Sequence, residues 1–384
     1  MEWQDDVQED DLRDATRKYL PETVVWTTDW TTGALTEQMQ RDVFDVDPPF
    51  QRRSVWNDQK ASLYIESLLL GCPVPPITLA ELPKSSPGQH QYIVIDGKQR
   101  LGTLKRFAIE ETLRLTGLQT LPNLNGKGFQ EITAIQEFSR FENLPIRTVV
   151  MRNWIKDEVL QFVFHRLNSQ VTPLSTHELR RSLIAGPFTD YLDVRSARSR
   201  GIQKILNISE PDYRLRDAEL LLRAIAFSCF FNRYRGNLKS FLDAATRTLN
   251  KNWDRRVERQ LDDLAENIDE AIVATFEIFG RSAFQRIEDG QATGRFNRAV
   301  FDMMILTLRD AEVREAALES AAVVRETFTT LSNRSGKFRS WTEATTKSRD
   351  AVQGRIDFWA GRLGRALGYE NLTELAESSA LEAL

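Results

Sequence analysis

The chain has 384 residues, 41% of them hydrophobic and 28% charged, enough for about two domains and too apolar for a disordered polymer. Its two cysteines, Cys72 and Cys229, lie far apart and outside any CxxC pair, which excludes a disulfide framework and a cysteine-built zinc site and favours a reducing cytoplasm. The first twenty residues put acids where a secretory leader is basic and then apolar, and the most apolar windows, 67–80 and 220–231, are broken by Pro73, Pro75 and Pro76 or by Arg223, so neither export nor a membrane span is expected.

The net charge of −4 is unevenly spread: residues 1–50 hold 13 acids against 4 bases, leaving the remainder at +5. We therefore read residues 1–34 as an acidic arm before a mildly basic body, whose charge is too sparse for an obligate nucleic-acid binder. After Asp47-Pro48-Pro49, Asn57 caps an apolar-rich helix that runs to about Leu70 and stops at Gly71. Two short β-branched runs, 76–80 and 92–95, read as strands, and Asp96-Gly97 ends the second. From Lys98 the residues Leu101, Leu104, Phe107 and Ala108 have helical spacing; a Gly/Asn loop over 121–128 then leads to a third strand over 144–151. Asp157 caps a further helix to about Leu167, and Ser175 with Glu178 has the spacing of a capping box. Beyond residue 207 the pattern is helical throughout, as in Val257, Leu261, Leu264, Ile268, Ile272, Phe276 and Phe279. The expected fold class is α+β: an α/β domain over 35–206, then an all-α domain over 207–384.

The segment Ile95-Asp96-Gly97-Lys98-Gln99-Arg100 puts a glycine turn at a helix start, where unpaired backbone N–H groups attract an anion. Gly97 admits a ligand close to the backbone, Lys98 supplies a point charge and Arg100 a planar fork for phosphate oxygens. Asp96 either caps the helix or holds a hydrated Mg²⁺ beside the phosphates. Arg52, Arg53 and Gln51 lie between Phe50 and Trp56, a mixture suited to phosphate plus base, although by itself the segment reads first as a turn with solvated arginines. Basic and aromatic residues also mingle at 253–256 and 334–341, where a solvated face with interface aromatics competes with a nucleic-acid track.

Taken in order, Pro48-Pro49-Phe50-Gln51-Arg52, Trp56, Ser67 to Ile77, Ile95 to Leu101, and Phe164 to Asn168 with Leu174, Glu178 and Leu179 resemble the DUF262 family, or DGQQR-motif proteins, of the ParB/sulfiredoxin-like superfamily, across roughly residues 35–190. The resemblance implies an N-terminal domain that binds a nucleoside triphosphate with Mg²⁺ and in some relatives hydrolyses it, within bacterial defence against phage or modified DNA. It carries the family's motif roles to Gln51, Arg52, Asp96, Gly97, Gln99 and Arg100 and adds Asn168. With the residue reading above, the candidate catalytic residues are Asp96 and Arg100, the candidate nucleotide contacts Gln51, Arg52, Arg53, Trp56, Gly97, Lys98, Gln99, Arg100 and Asn168, and the candidate metal ligand Asp96. Lys98 and Gly102 depart from the commonest pattern of the family, at a glutamine and a threonine position. Only His90, His165 and His177 are present, in no HNH or HExxH arrangement, so zinc and iron are not expected and any nuclease is expected to be a separate partner or effector. A non-hydrolysing module that grips DNA, including modified DNA, and recruits that nuclease is the competing reading.

Overall fold

The computed structural model describes residues 20–44, 56–82, 91–154, 159–160, 163, 176–212, 215–343 and 346–381. The expected helix 157–167, its His165 and Asn168, and the segment 45–55 with Gln51, Arg52 and Arg53 lie outside or almost wholly outside these. Two compact units divide between Leu183 and Ile184, so the helices over 187–206 fall in the later unit.

The N-terminal unit is built on a four-stranded sheet of β1 (Val24–Thr31), β2 (Ile77–Glu81), β3 (Tyr92–Asp96) and β4 (Pro145–Arg152) in the order β1-β4-β2-β3. β4 and β2 run parallel at the centre, and each edge strand is antiparallel to its neighbour. Side chains alternate between two buried faces. Ile77, Leu79, Val94, Ile146 and Val150 pack into one cluster, while Ala80, Ile93, Ile95 and Met151 pack into another with Trp154 and Leu160. Burial on both faces is why β2 and β3 read as nearly continuous apolar runs.

The larger cluster is covered by α1 (Thr32–Gln40), α2 (Asp58–Leu69) and α3 (Lys98–Leu104). α2 begins as expected, with the Asn57 side chain accepting from the Lys60 amide at 2.9 Å. One face of α2 also fastens the loop beyond α3. Ser62 accepts the Thr116 amide, and buried Glu66 accepts the amides of Thr120 and Leu121 at 2.9 and 2.7 Å. The stretch read as the end of the acidic arm and its continuation is folded from Val24 onward, because Val24, Val25, Trp26, Thr27 and Thr28 are β-formers that the surrounding acids obscure.

The later unit is helical: α4 of the first unit (Thr176–Leu183) is followed by α5 (Pro187–Ala197), α6 (Arg200–Leu206), α7 (Arg216–Phe230), α8 (Leu238–Lys251), α9 (Arg255–Phe279), α10 (Arg298–Leu308), α11 (Ala311–Glu319), α12 (Ala321–Arg334), α13 (Gly336–Glu343), α14 (Arg349–Leu367) and α15 (Leu372–Glu377). α7 and α10 are buried almost all round and form its centre. One feature departs from the all-helical expectation: a hairpin of β5 (Gln285–Glu288) and β6 (Gln291–Phe296). Its turn residues Asp289 and Gly290 both have positive φ, 49° and 80°, the geometry that Asp-Gly favours between strands.

Arg223, which interrupts the apolar window of α7, is paired across the core with Asp302 of α10 at 2.7 Å, and the same carboxylate accepts from Arg355 of α14 at 3.0 Å. Asp302 and Arg355 are fully buried, and burial lowers the Arg355 guanidinium to about 10, with Asp302 pulling it back up. One carboxylate thus serves two buried guanidiniums. Removing its charge by Asp302→Asn is expected to cost about 3–5 kcal/mol by leaving the fully buried Arg355 guanidinium without this counter-charge; denaturant unfolding measures this, and the triple change R223M/D302L/R355M should recover most of the loss.

His177 of α4 is fully buried, and desolvation first, then the charges of Arg180 and Arg181, hold its proton affinity well below the ordinary 6.5. The unfolded chain therefore protonates it at a pH where the folded chain does not, and stability is lost as pH falls below about 6.5, by at most about 1.4 kcal/mol per pH unit. Melting curves between pH 7 and 5 should fall more steeply for the parent than for His177→Gln.

Candidate functional site

The site begins with an irregularity in the sheet. Thr78 of β2 stands opposite Asp96, but Leu79 stands opposite Val94, so Ile95 is an extra residue in β3. Such a bulge bends the strand and re-aims the side chain that follows it, here Asp96. Gly97 then takes a left-handed conformation, φ 102°, ψ 9°, and α3 starts at Lys98 with Leu101 donating to the Gly97 carbonyl at 2.9 Å. A side chain at Gly97 would be strained in φ, and its Cβ would sit 3.0 Å from Ile77 Cγ1 and 3.3 Å from Arg100 Nη2. No larger residue fits the turn without moving one of them.

Asp96 does not cap the helix in the usual way; it closes the turn on itself. Its Oδ1 accepts the Gly97 amide at 2.7 Å, and its Oδ2 accepts Arg100 Nη2 at 2.8 Å. The same Nη2 donates to the Pro76 carbonyl at 3.1 Å, which anchors the guanidinium to the residue before β2. The Arg100 side chain is 11% exposed and Asp96 37% exposed. Arg100 is therefore a braced, half-neutralised group, whereas the sequence suggested a fork facing the anion. Its Nε is buried without a hydrogen-bond partner among the described residues.

Around this turn the structure gathers residues from α2 and α3. The Trp56 amide donates to Gln99 Oε1 at 3.4 Å, the Trp56 ring meets Tyr64 edge-on at 5.7 Å, and Lys60 Nζ lies 5.4 Å from the Trp56 ring centre. Trp56, Gly97, Lys98, Gln99, Arg100 and Asp96 are thus brought to one place. Tyr64 was not singled out from the sequence, since at its position in α2 an aromatic residue reads simply as core. Continuing α3, residues Lys105–Ile109 form a π-turn that seats Phe107 in the core and presents Arg106 to Asp58.

The other basic and aromatic clusters resolve as packing. Trp253 lies against Tyr191 and Phe188 at 5.2 and 6.1 Å, Phe338 is buried, and Trp341 meets Phe358 edge-on at 5.4 Å over the gap left by Gly354. Phe338 belongs to the helical core and Trp253 packs against that core, while Trp341 rests on the exposed Phe358.

Residues 33–185 match the family model of the GmrSD restriction endonuclease N-terminal domain. The chain carries a DUF262-family domain. That family is found in modified-DNA restriction systems, and the ParB-like superfamily assignment is consistent with the match. No curated protein and no solved structure matches the chain. The matched span runs from α1 to just past α4 and includes the whole Asp96–Arg100 turn; β1 lies outside it.

The contrast between two glycines of the DUF262 domain tests this geometry. Gly97→Ala is expected to destabilise the fold by about 1–3 kcal/mol through backbone strain. Gly102→Ala, in α3 with nothing among the described residues within 4 Å of an added Cβ, should instead stabilise by about 0.5–1 kcal/mol. Thermal melts of the two variants provide the comparison.

Proposed function

We propose that this protein is a nucleotide-binding regulatory or sensor component of a restriction-type defence system, and that its DUF262 domain takes the phosphates of a nucleoside triphosphate at the Asp96–Arg100 turn. The observation that carries this reading is a cation held ready at a backbone turn that only glycine can make. Arg100 is clamped by Asp96 and the Pro76 carbonyl while its Nε remains buried and unpartnered among the described residues. A fixed donor of that kind loses little entropy on meeting a phosphoryl oxygen.

In this reading each residue has a physical task. Gly97 brings the backbone close to the phosphate, and Lys98 adds positive charge at the helix start. Asp96, a third exposed although both oxygens are engaged, retains lone pairs for a hydrated Mg²⁺. Bound there, the ion would neutralise phosphate charge. His177 is enclosed in the core and is unsuited to ligate a metal, and the reading places DNA cleavage with a separate effector.

A binding panel tests the proposal: ATP, GTP, CTP, UTP and DNA duplexes, with and without Mg²⁺, on the parent chain and on Arg100→Ala. Loss of a charge-assisted hydrogen bond, worth roughly 1.5–3 kcal/mol, should weaken nucleotide binding about ten- to hundredfold in a variant whose circular dichroism is unchanged. Equal nucleotide affinity in the two proteins refutes the site. Salt-steep duplex binding with no nucleotide binding would assign the turn to a DNA backbone instead.

A further inference from the structure

In the helical unit, α15 ends on an acid. Glu377 is its final residue, where the dipole of a helix disfavours a negative charge. Gln353 of α14 holds this carboxyl beside a second one, because its Nε2 donates to Asp357 Oδ1 at 3.1 Å and also to Glu377 Oε1. One amide nitrogen touching two carboxyl groups puts like charges side by side, and such a pair is relieved when it shares a proton. Burial first, and then the Asp357 carboxyl, raise the proton affinity of Glu377 to about 7, with Gln353 drawing it part of the way back.

What this pair fastens is the segment 372–381. α15 packs on α14 and α10, and beyond it the chain crosses the end of α7. There the Ala380 amide donates to the Ser228 carbonyl at 2.9 Å, and Ser379 Oγ to the Cys229 carbonyl at 3.0 Å. Arg309, just past α10, donates to the carbonyls of Leu375 and Ser378 at 3.3 and 2.6 Å, on either side of Glu377. Glu377 itself lines an open cleft with Cys229, Arg233 and Leu381. Among the described residues, the charged and titratable groups facing it are therefore Asp357 from α14, Arg309 from the end of α10, and Cys229 and Arg233 from the end of α7. Of these, Asp357 is the one that shares a hydrogen-bond donor with it.

We infer that the contact of Glu377, Gln353 and Asp357 is a proton-operated latch: a shared proton holds the segment 372–381 over the end of α7, and loss of that proton loosens it. The closed segment takes up a proton that the open one, its carboxyl back in the ordinary range, gives away. Closure is therefore strongest in mild acid and weakens as pH rises through about 7. Opening uncovers Cys229, whose carbonyl the segment caps; its thiol is 5% exposed when closed, and burial pushes it up to about 12. The device belongs to the helical unit and stands whether or not the DUF262 domain binds a nucleotide.

Cys229 is the reporter, and the exposed Cys72 is the internal standard for the pH dependence of the reagent. The full chain is alkylated with N-ethylmaleimide at pH values from about 6 to about 8, and the rate at Cys229 relative to Cys72 is followed by mass spectrometry, with hydrogen-exchange protection measured in parallel. The ratio is expected to rise about three- to tenfold over this range, the upper figure for one fully coupled proton and the lower for a partly exposed carboxyl screened by solvent. Protection should fall over 372–381 and hold in the middle of α7 and α10. Glu377→Gln and Asp357→Asn each remove one charge of the pair and should flatten the profile. A ratio independent of pH in the parent overturns the inference, and so does a rise of the same size in both variants. Protection lost throughout the helical unit overturns it as well, since the whole unit rather than the segment would then be opening.

Discussion

The ion pair between Asp96 and Arg100 spans one turn of helix across a left-handed glycine, and the arrangement of the DUF262 domain is organised around it. For the pair to form, the strand must end in a bulge, the chain must reverse at Gly97, and the helix must start at once so that residue 100 lies over residue 96. Each condition draws on a different part of the sequence. The bulge needs β2 as a partner, and the reversal needs the absence of a side chain beside Ile77. The helix needs the buried positions Leu101, Leu104 and Phe107 to seat it on the core.

This bracing changes what the arginine can do. A guanidinium free in solvent would offer a full charge and five donors, at the cost of ordering a long side chain on binding. Here two acceptors already hold one end, and what remains for a ligand is a direction and a partial charge. In the nucleotide reading proposed above, specificity would fall to the surrounding cation Lys98 and the ring of Trp56. The helical unit uses the same device for a different end, with Asp302 holding two buried guanidiniums in a predominantly apolar core. Only in the helical unit does loss of the carboxylate leave a fully buried cation, Arg355, without this counter-charge.

Much of the local structure was legible because it depends on neighbours in sequence. Asn57 announced the start of α2 and Gly71 its end, and the β-branched runs at 77–81, 92–96 and 145–152 lay within one or two residues of the expected strands. The hairpin at 285–296 carried a readable signal, Asp289-Gly290, but its strands are short and polar and were absorbed into the helical pattern on either side. β1 was hidden for a related reason. Its Val, Trp and Thr residues follow a run of acids, and its pairing is with β4, more than 110 residues away.

By itself the sequence determined the α+β order, the glycine turn at a helix start, and the kinship of residues 33–185, because spacing, turn chemistry and ordered motifs are properties of the chain in one dimension. Only the tertiary structure decided which groups face one another. Asp96 turned out to hold Arg100, Tyr64 to meet Trp56 edge-on, Trp253 to pack against Tyr191 and Trp341 against Phe358, and Arg223 to be answered by Asp302. Contacts of this kind join residues that are distant in sequence or on different faces of their elements. Their energies depend on burial and partner geometry, which emerge when the elements close around a common core.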